Sequence, residues 1–265
     1  LVTTYNWTGN LAAGATTTQV ITGIPTGTAG SHNLTATVLV PGDFNGYNNT
    51  AAFGFVVTSA PFATPFSEGF PTLPFPPTDW SIINPDGSHT WNRVGVGGFM
   101  QDMGSTRMPF YLSPDGQIDY LYMPTLDLSQ PGTHTSAQLK FSRAAARYLQ
   151  NGQAVGNDLV RFEASSDCGA TWAQIWSRSG ADLATVGGRD DTYVPGSASD
   201  WRRDSASLAA FVGQSEVIIR FVGVSNNGNN AYFDDLEVVY YPPATIGTVD
   251  AIVAGSLSLY PNPAQ

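Results

Sequence analysis

Two short segments carry carboxylates in surroundings that suit a metal ion. In Phe66-Ser67-Glu68-Gly69-Phe70 the two-residue period of an extended strand puts Glu68 on the same face as two aromatic rings. In Tyr232-Phe233-Asp234-Asp235-Leu236-Glu237-Val238 the same period puts Asp234 with Tyr232, Leu236 and Val238. Both acids therefore point toward apolar neighbours, and neither has a Lys or Arg beside it in sequence. An ionised carboxylate buried in that way is costly unless it is paired or metal-bound. Calcium, which takes about six to eight oxygen ligands, is the cation that fits, with Asp119 and Asp235 as further candidate ligands. A plainer reading stays open, in which each acid accepts backbone hydrogen bonds at a strand end.

Other patterned residues point away from catalysis. Ser165-Ser166-Asp167-Cys168-Gly169-Ala170-Thr171-Trp172 fits S-x-D-x-G-x-T-W, which resembles the Asp-box of sialidase propellers. There it is a folding motif: Asp supplies turn hydrogen bonds, Gly a positive φ and Trp packing beneath the hairpin. One copy, without repeats at blade spacing, predicts a hairpin and not a glycosidase, and it puts Cys168 at the hairpin tip. His32, His89 and His134 lie in unrelated segments with no zinc-ligand spacing, and His89 in Asp-Gly-Ser-His-Thr-Trp fits a turn. Among the aromatics and arginines, Trp201, Tyr148 and Arg147 are the candidates for stacking and hydrogen bonding to a sugar ring, against a background in which most sandwich aromatics are core. Asp204-Ser205-Ala206 offers Ser205 as a candidate O-glycosylation site.

Composition narrows the class. Eleven basic and 21 acidic side chains give a net charge of -10, which repels nucleic acid and anionic membranes at long range. Charged residues make up 12%, about half the usual share, and only four of the acids are Glu (Glu68, Glu163, Glu216, Glu237). Asp is the carboxylate of turns and of calcium loops. The lone Cys168 cannot form an internal disulfide, and no apolar run reaches the roughly eighteen residues that span a bilayer. Leu1 leads straight into strand-like sequence, so the natural N-terminus is expected upstream.

The elements that must position these residues are strands. Residues 1–58 predict short strands at Tyr5–Thr8, Thr16–Ile21, His32–Leu39 and Ala51–Val57, an incomplete Ig-like β-sandwich. Residues 59–65, with Pro61 and Pro65, read as a linker. From 66 to 241 strands recur at Asp79–Ile83, Thr90–Val94, Pro109–Leu112, Ile118–Met123, Gln138–Ser142, Asp158–Ala164, Thr171–Trp176, Glu216–Val222 and Ala231–Tyr241, with no helical period. That pattern predicts an all-β chain whose second module is an antiparallel jelly-roll β-sandwich. The first and last strands of such a fold are commonly neighbours, which would bring Glu68 and Asp234 together. Residues 242–265 read as a linker followed by the truncated start of another domain.

Three resemblances bear on function. The segments FSEGFPTLPFPPTDWSIINPDGSHTWNRV, QIDYLYMPTLDLS, FEASSDCGATWAQIW and DWRRDSASLAAFVGQSEVIIRFVGVSNNGNNAYFDDLEVV, in that order, resemble the choice-of-anchor J domain, a relative of cleaved-adhesin and MAM-like jelly rolls. The stretch GSHNLTATVLVPGDFNGYNNTAAFGFVV resembles the closing strands of a cell-adhesion-related Ig-like domain, and SLSLYPNPAQ the opening of a type IX secretion sorting domain. These resemblances imply a non-catalytic accessory region of a secreted or cell-surface bacterial adhesin or peptidase, exported through the secretion machinery. Its expected place is extracellular or on the outer-membrane surface, and its expected partner is a surface glycan or protein. They also imply that a structural calcium is common in such jelly rolls. A second reading is an extracellular polymer subunit, in which an open Ig-like sheet edge self-associates by accepting a strand such as Ser256–Tyr260 from another copy.

Overall fold

The computed structural model describes residues 3–24, 27–129, 132, 134 and 136–241. The predicted tail strand and the type IX-like segment lie outside these residues. An all-β architecture dominates, with one α-helical turn at Gly180–Leu183 (α1).

Two antiparallel sheets make the jelly-roll sandwich. The front sheet runs Arg202–Ser207 (β15), Ser136–Ala145 (β10), Ala231–Tyr241 (β17), Ser105–Met108 (β7) and Asn92–Val94 (β6). Phe66–Glu68 (β4) pairs with the later half of β17, so the first and last strands of the module are neighbours. The back sheet runs Ala173–Ser179 (β14), Leu159–Ser165 (β13), Ile218–Val224 (β16), Ile118–Tyr122 (β8) and Ser81–Ile83 (β5). Phe141 and Phe233 from the front sheet meet Phe162, Phe221 and Trp176 from the back. Phe162 stacks on Phe221 with centroids 3.9 Å apart and meets Phe141 edge-on at 4.7 Å. All four phenylalanines are fully buried, so this aromatic knot supplies much of the hydrophobic stabilisation between the sheets.

A second, smaller core lies on the outer face of the front sheet. The segment 184–201 folds across it, burying Tyr193 and Trp201 against Ala144, Ala146 and Tyr232. Tyr232 Oη donates to the Tyr193 carbonyl at 2.6 Å, and Asn230 Nδ2 donates to that same oxygen, so the segment is pinned by the start of β17.

Several sequence expectations shift. Pro109 has no N–H for a ladder, and residues 109–113 instead form turns closed by Leu112 N–H on the Pro109 carbonyl; the strand is Ser105–Met108. The polar edge strand β15 had no hydrophobic alternation to announce it. Phe62–Ala63 (β3), read as linker, pairs in parallel with Leu126–Asp127 (β9), and the Phe62 N–H reaches the Thr125 carbonyl at 2.8 Å. Two small hairpin strands, Tyr148–Gln150 (β11) and Gln153–Val155 (β12), complete the set.

In the N-terminal region Gly30–Thr37 (β1) and Thr50–Val57 (β2) form a two-stranded antiparallel sheet. Tyr5–Thr8 and Thr16–Ile21 are not strands. Their large apolar residues Tyr5, Trp7, Val20 and Ile21 are exposed, and alternation alone makes no ladder where no second layer buries its apolar face.

Candidate metal centre and binding cleft

The carboxylates converge because β17 is irregular. The register with β10 places Lys140 opposite Glu237 but Ser142 opposite Asp234, so two β17 residues face Phe141. This is a β-bulge, and Asp235 takes φ 51° within it. In a regular strand Asp234 and Asp235 would point to opposite faces. Here the bulge turns both toward one place, where they meet Asp102, with a carboxylate oxygen from each of the three within 4.8 Å of the others.

The bulge also corrects the sequence pattern. Phe233 points into the main core and Tyr232 into the outer one, yet beyond the bulge Leu236 and Val238 point into the main core. Asp234 therefore does not share a face with Leu236 and Val238.

The surroundings are built for carboxylates. Asp234 is fully buried; its Oδ2 accepts the Gly98 N–H at 2.5 Å, while its Oδ1 has no hydrogen-bond partner. Side chains are excluded at two glycines: a Cβ on Gly97 would collide with Asp102, and one on Gly98 with Asp235. Arg93 holds the loop that carries Asp102 by donating to the carbonyls of Phe70 and Pro71 at 2.6 and 2.7 Å and to that of Met103. Asp235 Oδ2 accepts from Ser142 Oγ at 2.5 Å and pairs with Arg203 at 3.2 Å.

Burial pushes the Asp234 carboxyl up to about 8, and the charges of Asp102 and Asp235 add to it against the pull of the Gly98 N–H. Asp102 is raised for the same two reasons, burial first and then Asp235. A hard dication would replace protons here, and the orphaned Asp234 oxygen and the glycine cradle fit one.

Of the sequence-predicted ligands, the structure groups Asp234 and Asp235, and adds Asp102, which no spacing signalled. Glu68 sits opposite Leu236, and its Oε1 accepts the Phe70 N–H at 2.6 Å, the backbone role of the plainer reading. Its neighbour Gly69 approaches the cluster: a Cβ there would stand 3.4 Å from Asp102 Oδ2 and 3.7 Å from Asp234 Oδ1. Asp119 lies on β8 of the other sheet, fully buried, so it is not part of this group.

At another place in the sandwich, Phe110, Tyr111, Ser113, Tyr148, Asn227 and Gly228 line a cleft of about 250 Å³. Tyr111 and Tyr148 meet edge to face with centroids 5.5 Å apart. The Asn226–Asn230 loop is shaped from below by Asp158, whose Oδ1 accepts the Asn226 N–H at 2.7 Å. A Cβ at Gly228 would collide with Asp158, so only glycine lets the loop close over that carboxylate. Burial raises Asp158 to about 6 against the pull of the N–H groups of Asn226, Asn229 and Gly228.

The other predicted binding residues divide. Tyr148 lines the cleft. Arg147 donates from Nη2 to the carbonyls of Ala154 and Gly156, bracing the hairpin, while its Nε is buried without a partner. Trp201, only 1% exposed, belongs to the outer core because the 184–201 segment covers it. Ser205 is exposed on the edge strand β15.

The sequence matches no family model, and no curated protein matches it. Among solved structures the chain is similar to a cleaved adhesin domain of Lys-gingipain from Porphyromonas gingivalis, at 15% identity and a TM-score of 0.42, covering 62% of this chain and 93% of that one. It is also similar to a carbohydrate-binding module solved with β-1,4-galactotriose, at 10% identity and a TM-score of 0.38, covering 62% and 90%. A third is a xylan-binding domain from Paenibacillus barcinonensis, at 13% identity and a TM-score of 0.37, covering 68% and 95%. Similarities of this size carry no residue-by-residue correspondence.

Proposed function

We propose that this chain is a non-catalytic binding and spacing region of an extracellular or cell-surface protein, its jelly roll stapled by a calcium ion. The observation that carries the reading is Asp234: a fully buried carboxylate with one oxygen unpartnered, facing Asp102 and Asp235. Arg203 offsets the charge of Asp235 from the solvent side, which leaves Asp102 and buried Asp234 to repel one another unless protons or a further cation intervene. Calcium there would tie the 97–102 loop to the β17 bulge beside the Phe66–Glu68 strand, holding the end of the sandwich in place without entering any reaction. The four-segment likeness to choice-of-anchor J domains and the secretion-like tail point to export and to a surface glycan or protein as partner.

Thermal unfolding with excess calcium and with a chelator tests the staple. A bound cation raises the melting temperature of the wild type by several degrees and leaves Asp234→Asn unmoved. An identical melting temperature with calcium and chelator removes the metal from the reading.

A further inference from the structure

We infer that the Tyr111–Tyr148 cleft is a binding site for one ring of an uncharged glycan, an inference that rests on the reading of the chain as a binding module. A pyranose presents C–H groups on its faces and hydroxyls around its rim, so a site for it needs an aromatic surface beside groups that donate and accept hydrogen bonds. The cleft supplies both. Its aromatic surface comes from Tyr111 and Tyr148, which both line it and meet at 84° with centroids 5.5 Å apart, so the two rings form a corner of the wall. Tyr111, Tyr148 and Asn227, all in the lining, carry hydroxyl and amide groups able to donate and accept hydrogen bonds. At about 250 Å³ the space lies just below the roughly 300–1,000 Å³ of drug-sized sites, the scale of one sugar ring and not of a folded peptide.

Charge and rigidity sharpen the assignment. None of the six lining residues carries a charge; neighbouring Arg147 bonds two carbonyls through Nη2 and keeps its positive charge. Asp158 beneath Gly228 and Asp115 nearby together outweigh the one positive charge of Arg147 beside them, and the net negative potential disfavours uronates and sialic acids. A peptide side chain would need an apolar hole, but Phe110 at the base is 1% exposed and closes the floor. The walls are held in place: the Tyr111 N–H reaches Asn230 Oδ1 at 3.3 Å, and the backbone N–H of Leu149, next to Tyr148, reaches the Arg189 carbonyl at 2.7 Å. A preorganised wall spares the ordering cost that weakens sites on loops.

Native affinity electrophoresis of the full chain through gels containing galactomannan, xylan or mixed-linkage β-glucan tests the site, with polygalacturonate as the charged comparison. The wild type is expected to be retarded by at least one neutral polysaccharide. Tyr148→Ala and Tyr111→Ala are each expected to weaken that retardation about tenfold in dissociation constant at an unchanged melting temperature, and Asn227→Ala to weaken it less. Should a tyrosine variant fail to fold, amide shifts of the wild type titrated with the retarding glycan decide: Asn227 and Gly228 move while Gly97 and Gly98 do not. Retardation by polygalacturonate alone, by no neutral polysaccharide, or with undiminished strength in folded tyrosine variants overturns the cleft. The last of these would leave the binding-module reading standing, and none bears on the calcium response, so the two failures are distinguishable.

Discussion

The guanidinium of Arg220 lies 3.8 Å from the centre of the Trp172 ring, joining the Asp-box hairpin to the outer face of the back sheet. Arg220 also donates to Glu163 at 2.7 Å and to Tyr122 Oη at 3.1 Å, and lies 4.9 Å from the Tyr120 ring. Glu163 takes a further bond from Arg161 at 2.6 Å. A flat, always charged group that stacks and forks at once is what arginine provides and lysine does not. Arg220→Lys is therefore expected to lower stability by about 1 kcal/mol, and Trp172→Ala by about 1–3 kcal/mol, in urea unfolding at neutral pH. An Arg220→Lys midpoint equal to that of the wild type would show that the stack is incidental.

Asp119 predicts a pH dependence. It is fully buried, and neither carboxylate oxygen receives a hydrogen bond of normal geometry. Burial raises its pKa to about 6, the charge of Asp86 adding to it while the nearby hydroxyl of Thr90 pulls the other way. Between the ordinary value of 3.8 and about 6 the folded chain holds a proton that the unfolded chain has released, so stability falls as pH rises through that window and levels off above it. Asp119→Asn removes this cost. The variant should exceed the wild type by about 1–3 kcal/mol above pH ~6, with the gap closing below pH ~4, in denaturant melts across pH. A gap that does not change with pH would place the effect in packing and not in titration.

The Asp-box predicts acid sensitivity in the opposite sense. Asp167 accepts from the Thr171 N–H at 2.9 Å, from Thr171 Oγ1 at 2.5 Å and from Ser165 Oγ at 2.7 Å. These bonds hold its pKa down at about 2. Their contribution is present above the ordinary carboxylate value and is lost as pH falls toward about 2. Asp167→Ala should free the 166–171 turn, seen as faster amide exchange at Thr171 at pH 7, and should abolish the acid-dependent part of that exchange. Unchanged protection at Thr171 would mean that backbone bonds alone hold the turn.

How much of this was legible follows from which signals are local. The sandwich could be read because its strands alternate, and the Asp-box because all its bonds fall within seven residues. Pairing of the first and last strands followed from fold topology, and β4 lies beside β17. Alternation could not show the bulge, since Asp234 and Asp235 read as one inward and one outward residue until φ at Asp235 is known. Asp102 was invisible for another reason: it reaches the cluster from a loop held by Arg93, more than 130 residues earlier in the chain. Trp201 misled because its covering segment, 184–201, has no strand period. A string of Gly97-Gly98 ahead of an Asp was the one available hint, for glycine pairs mark places where something needs the space of a Cβ.

The N-terminal region predicts a hierarchy of stability. The β1–β2 hairpin touches the sandwich at β5, where Ser31 Oγ donates to the Ile82 carbonyl at 2.8 Å and Gly54 lies against Ile83. Most of its side chains remain in solvent, Phe53 at 58% and Val38 at 61% exposure among them. Isolated two-stranded sheets are marginal in water, whereas the sandwich closes over the Phe141–Phe162–Phe221–Phe233 knot. Limited proteolysis is therefore expected to cut within residues 3–57 first and to leave a resistant fragment that starts near Phe62, where the β3–β9 ladder begins. The exposed strands also offer edges to a second copy, so dilution matters: a monomer should be cut at the same rate across concentrations, and an assembly joined through β1 or β2 should be protected as concentration rises. Protection that grows with concentration and disappears in Phe53→Lys would shift the function toward assembly, while rapid cleavage at every concentration assigns the hairpin to spacing and the sandwich to binding.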